Sequence, residues 1–205
     1  PLLLLHGNGE NGRYFEHQME YFKDRYRVIA PDTRGHGQSP RGEKPFTIRQ
    51  FAEDLREFMD ERGIEKAHIL GFSDGGNIAL VFAMKYPRRV DHLILNGANL
   101  YSAGVKLSVQ IPIILGYRTA SAFAELGKRV GFFKGAKSKA EMLGLMVNDP
   151  KLRPEELSQN RNPDFVSMRK LVIAGDKDMI KDEHTRLIFR SLANAELKIL
   201  HGTHF

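Results

Sequence analysis

The sequence predicts an α/β fold: a mostly parallel sheet flanked by helices, with a helical cap insertion. Three observations predict it. Short apolar runs alternate with stretches of helical periodicity, their connections are short enough to require right-handed crossovers, and polar, Gly-rich turns follow the runs. The 205 residues fit one sizeable domain, and a hydrophobic fraction of 41% suffices for a core.

The first apolar run, residues 2–5, leads into His6-Gly7-Asn8-Gly9-Glu10-Asn11-Gly12. Gly7, Gly9 and Gly12 fit the G-x-G-x-x-G turn that seats a dinucleotide pyrophosphate, with Asp32 at the distance of a ribose ligand. The same loop can instead present a backbone N–H to an oxyanion. Arg13, Tyr14 and Phe15 follow Gly12 where close helix–strand packing wants small residues, which disfavours the dinucleotide. Further runs at 28–30, 68–70, 93–95, 171–174 and 197–200 read as strands buried on both faces. A helix over 47–62 follows from Ile48, Phe51, Leu55, Phe58 and Met59, with Thr47 and Gln50 as a capping box. Two more helices are expected at 74–85, ending before Pro87, and at 182–192. His184 falls in the first turn of the last, where a solvated position is expected. Between 101 and 170 no strand is evident. Phe123, Leu126, Val130 and Phe133 share one helical face, and Met142, Leu143 and Met146 suggest another. So long a stretch is not a bare loop. Residues 1–100 and 171–205 are therefore expected to form the core and 101–170 the cap.

Ligands on an open parallel sheet bind beyond the carboxyl ends of the strands. There the sequence places Gly71-Phe72-Ser73-Asp74-Gly75, a G-x-S-x-G at the start of a helix. In such a turn the serine is held on a sharp bend, the glycines remove colliding β-carbons, and the N–H of Asp74 faces developing negative charge. A serine hydroxyl needs a base, and the base needs an orienting acid. After the insertion come Gly175-Asp176-Lys177-Asp178 and His201-Gly202-Thr203-His204, both at strand ends and in the chain order serine, acid, histidine. Spacing alone does not choose between Asp176 and Asp178.

Together His6-Gly7-Asn8-Gly9, Asp32-Thr33-Arg34-Gly35-His36-Gly37-Gln38-Ser39, Gly71-Phe72-Ser73-Asp74-Gly75, Gly175-Asp176-Lys177-Asp178 and Gly202-Thr203-His204-Phe205 resemble the α/β-hydrolase superfamily, in its order and across nearly the whole chain. The resemblance implies Ser73 as nucleophile, His204 as general base and Asp178 as acid, three positions after its glycine. It also implies an oxyanion hole from the N–H groups of Asn8 and Asp74, and an acyl pocket to which Phe72, Phe123, Phe133 and Met146 are expected to contribute. His204 is preferred to His201, which belongs to the strand end. His6, Arg34 and His36 are expected to stabilise loops. A serine at the elbow points away from epoxide opening and dehalogenation, for which the family uses an aspartate. Ester, thioester or related acyl cleavage is the expected reaction. Enol-lactone or carbon–carbon bond hydrolysis, aminopeptidase action, acyl transfer and ligand reception with little turnover remain open.

Members of the family have strands before the one at residues 2–5 and a helix after the catalytic histidine. The chain is thus expected to be truncated at both ends, with His204 on a fraying end and turnover below that of a complete relative. The formal net charge of +6 comes from scattered Lys and Arg that alternate with acids, so no nucleic-acid partner is expected. No run is long enough to span a membrane and no leader is evident, so a cytoplasmic location is the expectation. With no cysteine, disulfides and thiolate metal sites are excluded. The histidines show no metal-binding pairing, and no cofactor is expected. The expected partner is a small acyl substrate; the oligomeric state is not legible.

Overall fold

The computed structural model describes residues 1–130, 135–149 and 151–205. The strands are β1 (Leu2–Leu5), β2 (Val28–Ile29), β3 (Ala67–Phe72), β4 (Val90–Asn96), β5 (Arg169–Gly175) and β6 (Ala195–Leu200). They form one sheet in the order β2-β1-β3-β4-β5-β6, with every neighbouring pair parallel. The strand order reverses between β1 and β3, so the crevice outside their carboxyl ends is the natural ligand position on this sheet.

Helices are α1 (Glu16–Phe22), α2 (Ile48–Glu61), α3 (Asp74–Lys85), α4 (Leu107–Val130), α5 (Ala136–Val147), α6 (Pro154–Ser158), α7 (Pro163–Ser167) and α8 (Asp182–Ser191). The N-cap of α2 is Thr47, whose hydroxyl accepts from the Gln50 N–H at 3.1 Å. Only half of the expected capping box forms, because the Gln50 side chain donates to Asp54 instead.

Period-2 alternation sends Leu3 and Leu5 of β1 to one face, where Ile69, Leu93, Leu95 and Val172 meet α2, α3 and α8 in the main core. On the other face Leu2, Leu4, Phe15 and Phe72 form a small second cluster. Burial on both faces, expected from the apolar runs, holds for β1, whose four leucines are all buried, but not for the far half of the sheet. In β4 and β5 buried residues alternate with partly exposed ones, and most of β6 is exposed. The helices that follow β2, β3 and β5 gather on a single face, and leucine runs do not reveal which face a helix will cover.

In the insertion, α4 and α5 pack on each other. The segment containing α6 and α7 behaves differently: Leu157, Phe165 and Met168 enter the main core. Phe123 and Leu126, from the predicted apolar face of the cap, are exposed on α4. Phe133 lies outside the described residues, and nothing is described of the Val130 side chain. No helix among the described residues is long and apolar enough to cross a membrane.

Candidate active site

Ser73 stands between β3 and α3 at φ 52°, ψ −119°, a positive φ that a non-glycine residue adopts only under strain. The surroundings enforce it. Its N–H donates to the Asn96 carbonyl at 2.8 Å, and its carbonyl accepts from Gly76 at 2.9 Å and Asn77 at 3.2 Å. The flanking glycines are demanded by backbone proximity: a β-carbon on Gly71 would lie 2.2 Å from the Gly75 carbonyl oxygen, and one on Gly75 would lie 2.0 Å from that of Leu5. Asp74 opens α3, so its N–H has no intrahelical acceptor.

Asp178 and His204 meet from the ends of β5 and β6. Oδ1 of Asp178 lies 2.7 Å from Nδ1 of His204, and both side chains are buried. Asp178 also accepts from the N–H groups of Ile180 at 2.8 Å and Gly175 at 3.4 Å. Burial alone would raise its carboxyl; the hydrogen bonds from His204 and Ile180 outweigh that and hold it below the usual carboxylate value. The opposite ring nitrogen, Nε2 of His204, is buried and has no hydrogen-bond partner. Asp176 and His201 form a separate pair at 2.8 Å, exposed to solvent.

Ser73 and His204 converge on the turn after β4. The Ser73 N–H is bonded to Asn96, and the imidazole packs so closely on Gly97 that a β-carbon there would lie 2.7 Å from Cε1. Gly97 has φ +62°, a second reason for glycine at this position. Phe72 lies beneath the ring at a centroid distance of 4.8 Å and stacks on Tyr14 at 4.7 Å. His204, expected on a fraying end, is enclosed by these contacts at 6% exposure. Phe72, expected at the substrate pocket, is 1% exposed; it supports the imidazole and offers a ligand no surface.

The loop carrying Asn8 crosses in front of the elbow, and a β-carbon on Gly7 would lie 3.1 Å from Cβ of Ser73. His6 fixes this loop from behind. Its Nε2 accepts from the Thr33 N–H at 3.0 Å, so the proton sits on Nδ1, which donates to the Gly7 carbonyl at 2.8 Å. Burial lowers the His6 pKa, which favours this neutral form. Asp32 holds the neighbouring turn by accepting from Gly12 and Gln38, a structural duty in place of a ribose contact. Arg34 makes a two-point pair with Asp54.

Several residues at the site carry no sequence signal. Glu10 accepts from the Gly7 N–H at 3.0 Å, and burial raises its carboxyl against the opposing effects of Gly7 and His204. Lys151, inside an ordinary charged stretch, is 1% exposed and paired with Asp74. His184, expected in solvent, is buried: its Nε2 accepts from the Leu100 N–H at 3.0 Å, and burial foremost lowers its pKa to about 4. Met146 is half-buried on α5 and Phe123 is exposed on α4. Among the described residues no three acidic, His or Cys side chains are grouped to hold a metal.

Residues 1–120 match the family model of the alpha/beta hydrolase fold, and the chain belongs to that family. Over 97 residues it is 37% identical to an uncharacterized protein of Mycobacterium tuberculosis, a stretch covering 47% of this chain and 28% of that protein. Over 122 residues it is 38% identical to epoxide hydrolase 3 of Siraitia grosvenorii, covering 58% of this chain and 37% of that protein. The matched stretches thus span well under half the length of these curated relatives. Among solved structures, the enol-lactonase from Burkholderia xenovorans LB400 superposes with a TM-score of 0.76 at 21% identity, covering 100% of this chain and 84% of that one.

Proposed function

We propose that this chain carries the active site of a serine hydrolase that cleaves an ester, thioester or related acyl bond. The observation that carries the reading is the buried Asp178–His204 pair, whose Nε2 has no hydrogen-bond partner and whose imidazole packs on Gly97, next to the Asn96 carbonyl that holds the N–H of a serine on a strained elbow. As Ser73 Oγ attacks the acyl carbon, its proton passes to Nε2 of His204. Asp178 accepts the Nδ1 proton in a hydrogen bond, keeps the reactive tautomer and stabilises the imidazolium. The carbonyl oxygen takes up the electron pair between the N–H groups of Asn8 and Asp74. Collapse of the adduct expels the leaving group, which receives the proton from Nε2. Water deprotonated by the same nitrogen then frees the acid and restores Ser73. The acyl group lies towards α4 and α5, with Met146 and Phe123 as its first candidates.

Similarity to an epoxide hydrolase does not extend to that chemistry in this reading, because a serine oxygen replaces the carboxylate that would open the ring. A fluorophosphonate probe tests the proposal. It labels the wild-type chain at Ser73, whereas Ser73→Ala and His204→Ala stay unlabelled; reversible ligand binding with no modification of Ser73 overturns it.

A further inference from the structure

The two oxyanion residues are tied together by a buried polar cluster that reaches into the insertion. The Asp74 carboxylate receives Lys151 Nζ at 2.5 Å and Asn77 Nδ2 at 3.0 Å on Oδ1, and Asn8 Nδ2 at 3.0 Å on Oδ2. Lys151 also donates to Asn99 Oδ1 at 3.2 Å, and Asn8 gives a second hydrogen bond to the Met142 carbonyl of α5 at 2.8 Å. Asp149 and His184 are the other titratable groups close enough for Lys151 to influence. Burial would raise the Asp74 carboxyl, but the Lys151 ammonium and the hydrogen bonds from Lys151, Asn8 and Asn77 hold it below its usual value.

An ionised carboxylate at this place has the wrong sign for the reaction. Negative charge develops at the backbone N–H of Asp74, a residue 4% exposed, and the side chain of the same residue repels it unless neutralised. Lys151, paired with Asp74 in the fold, supplies that neutralisation directly. We propose that Lys151 is a positioning residue for the oxyanion hole: it cancels the charge of Asp74 and fixes the Asp74 amide opposite that of Asn8. The inference rests on the serine-hydrolase reading above.

The test is Ser73-dependent hydrolysis of p-nitrophenyl acyl esters by the whole chain, comparing wild type, Ser73→Ala, Lys151→Met and the charge-free double variant Asp74→Asn/Lys151→Met. Lys151→Met is expected to lower kcat by about 10²-fold, as loss of an oxyanion donor does, with KM within about threefold of wild type. The double variant is expected to regain at least about tenfold of that loss, because it removes the uncompensated carboxylate. Should Lys151→Met fail to fold, the double variant is compared with wild type directly, and a kcat within about tenfold supports the role. A double variant as impaired as the single one, or 10²-fold below wild type, shows that Lys151 serves packing and overturns the role. So does a Lys151→Met enzyme with unimpaired kcat. Absence of Ser73-dependent turnover in the wild-type chain overturns the hydrolase reading and this role with it.

Discussion

Two Asp–His pairs at 2.7 and 2.8 Å stand on the same rim, and their environments decide what each can do. Asp178–His204 is enclosed, so its hydrogen bond acts in a low-dielectric setting; Asp176–His201 is solvated and screened. Replacing Asp178 by Asn removes the acceptor that fixes the tautomer and is expected to lower kcat roughly 10³–10⁴-fold with little change in KM. Asp176→Asn, at an exposed pair, is expected to leave kcat/KM within about twofold. Steady-state ester hydrolysis by the two variants checks both, and equal losses would remove the distinction. At this scale the elbow at Ser73 and the acid and histidine residues at the ends of β5 and β6 were legible because they follow three different strands in a recognisable order. Only resemblance distinguishes Asp178 from Asp176 in the sequence, and the fold pairs Asp178 with His204. Lys151 was not legible: a lysine between Pro150 and Leu152 looks the same whether solvated or enclosed, and only the fold brings it to Asp74.

Elements show where glycine is obligatory and where it is tolerated. Alanine at Gly75 would gain up to about 1 kcal/mol of helix propensity, yet its β-carbon would overlap the Leu5 carbonyl oxygen at 2.0 Å. Overlap with backbone cannot relax as a side chain does, so Gly75→Ala is expected to destabilise by at least about 3 kcal/mol or to prevent folding. Gly144, inside α5, presents the contrary case, since its nearest neighbour would be a Tyr117 ring carbon at an ordinary 3.4 Å. Gly144→Ala is expected to stabilise by about 0.5–1 kcal/mol. Urea unfolding of both variants measures the difference in sign. Strands and the helices α2, α3 and α8 were readable within a few residues because period and caps are local properties. The exposed face of the sheet and the burial of α6 and α7 were not, since both depend on where distant segments pack.

Across the whole molecule, buried titratable groups set how folding responds to acid, in two separable windows. His184 is neutral in the fold, with its pKa lowered from 6.5 to about 4. Between those values the unfolded chain binds a proton that the native chain does not, so its contribution is complete above about pH 6.5 and is lost as pH falls towards about 4. From pH 7 to pH 5 this amounts to about 2 kcal/mol, at about 1.4 kcal/mol per pH unit. Asp74 and Asp178 act lower down: their folded-state values lie below the ordinary 3.8, so their stabilisation is present above 3.8 and lost as pH falls through the depressed values. Glu10 and Asp149, raised chiefly by burial, work in the opposite sense, above 4.5 and 3.8 respectively, so they oppose the lower end of the His184 window and leave the second one untouched. His184→Gln can still accept from the Leu100 N–H but cannot titrate. Urea unfolding from pH 7 to pH 2 is therefore expected to show the upper slope in wild type, a shallower one in His184→Gln, where His6, also lowered by burial, still contributes, and the same steep loss below about pH 4 in both; a His184→Gln curve parallel to wild type between pH 7 and pH 5 would assign the upper slope to other groups.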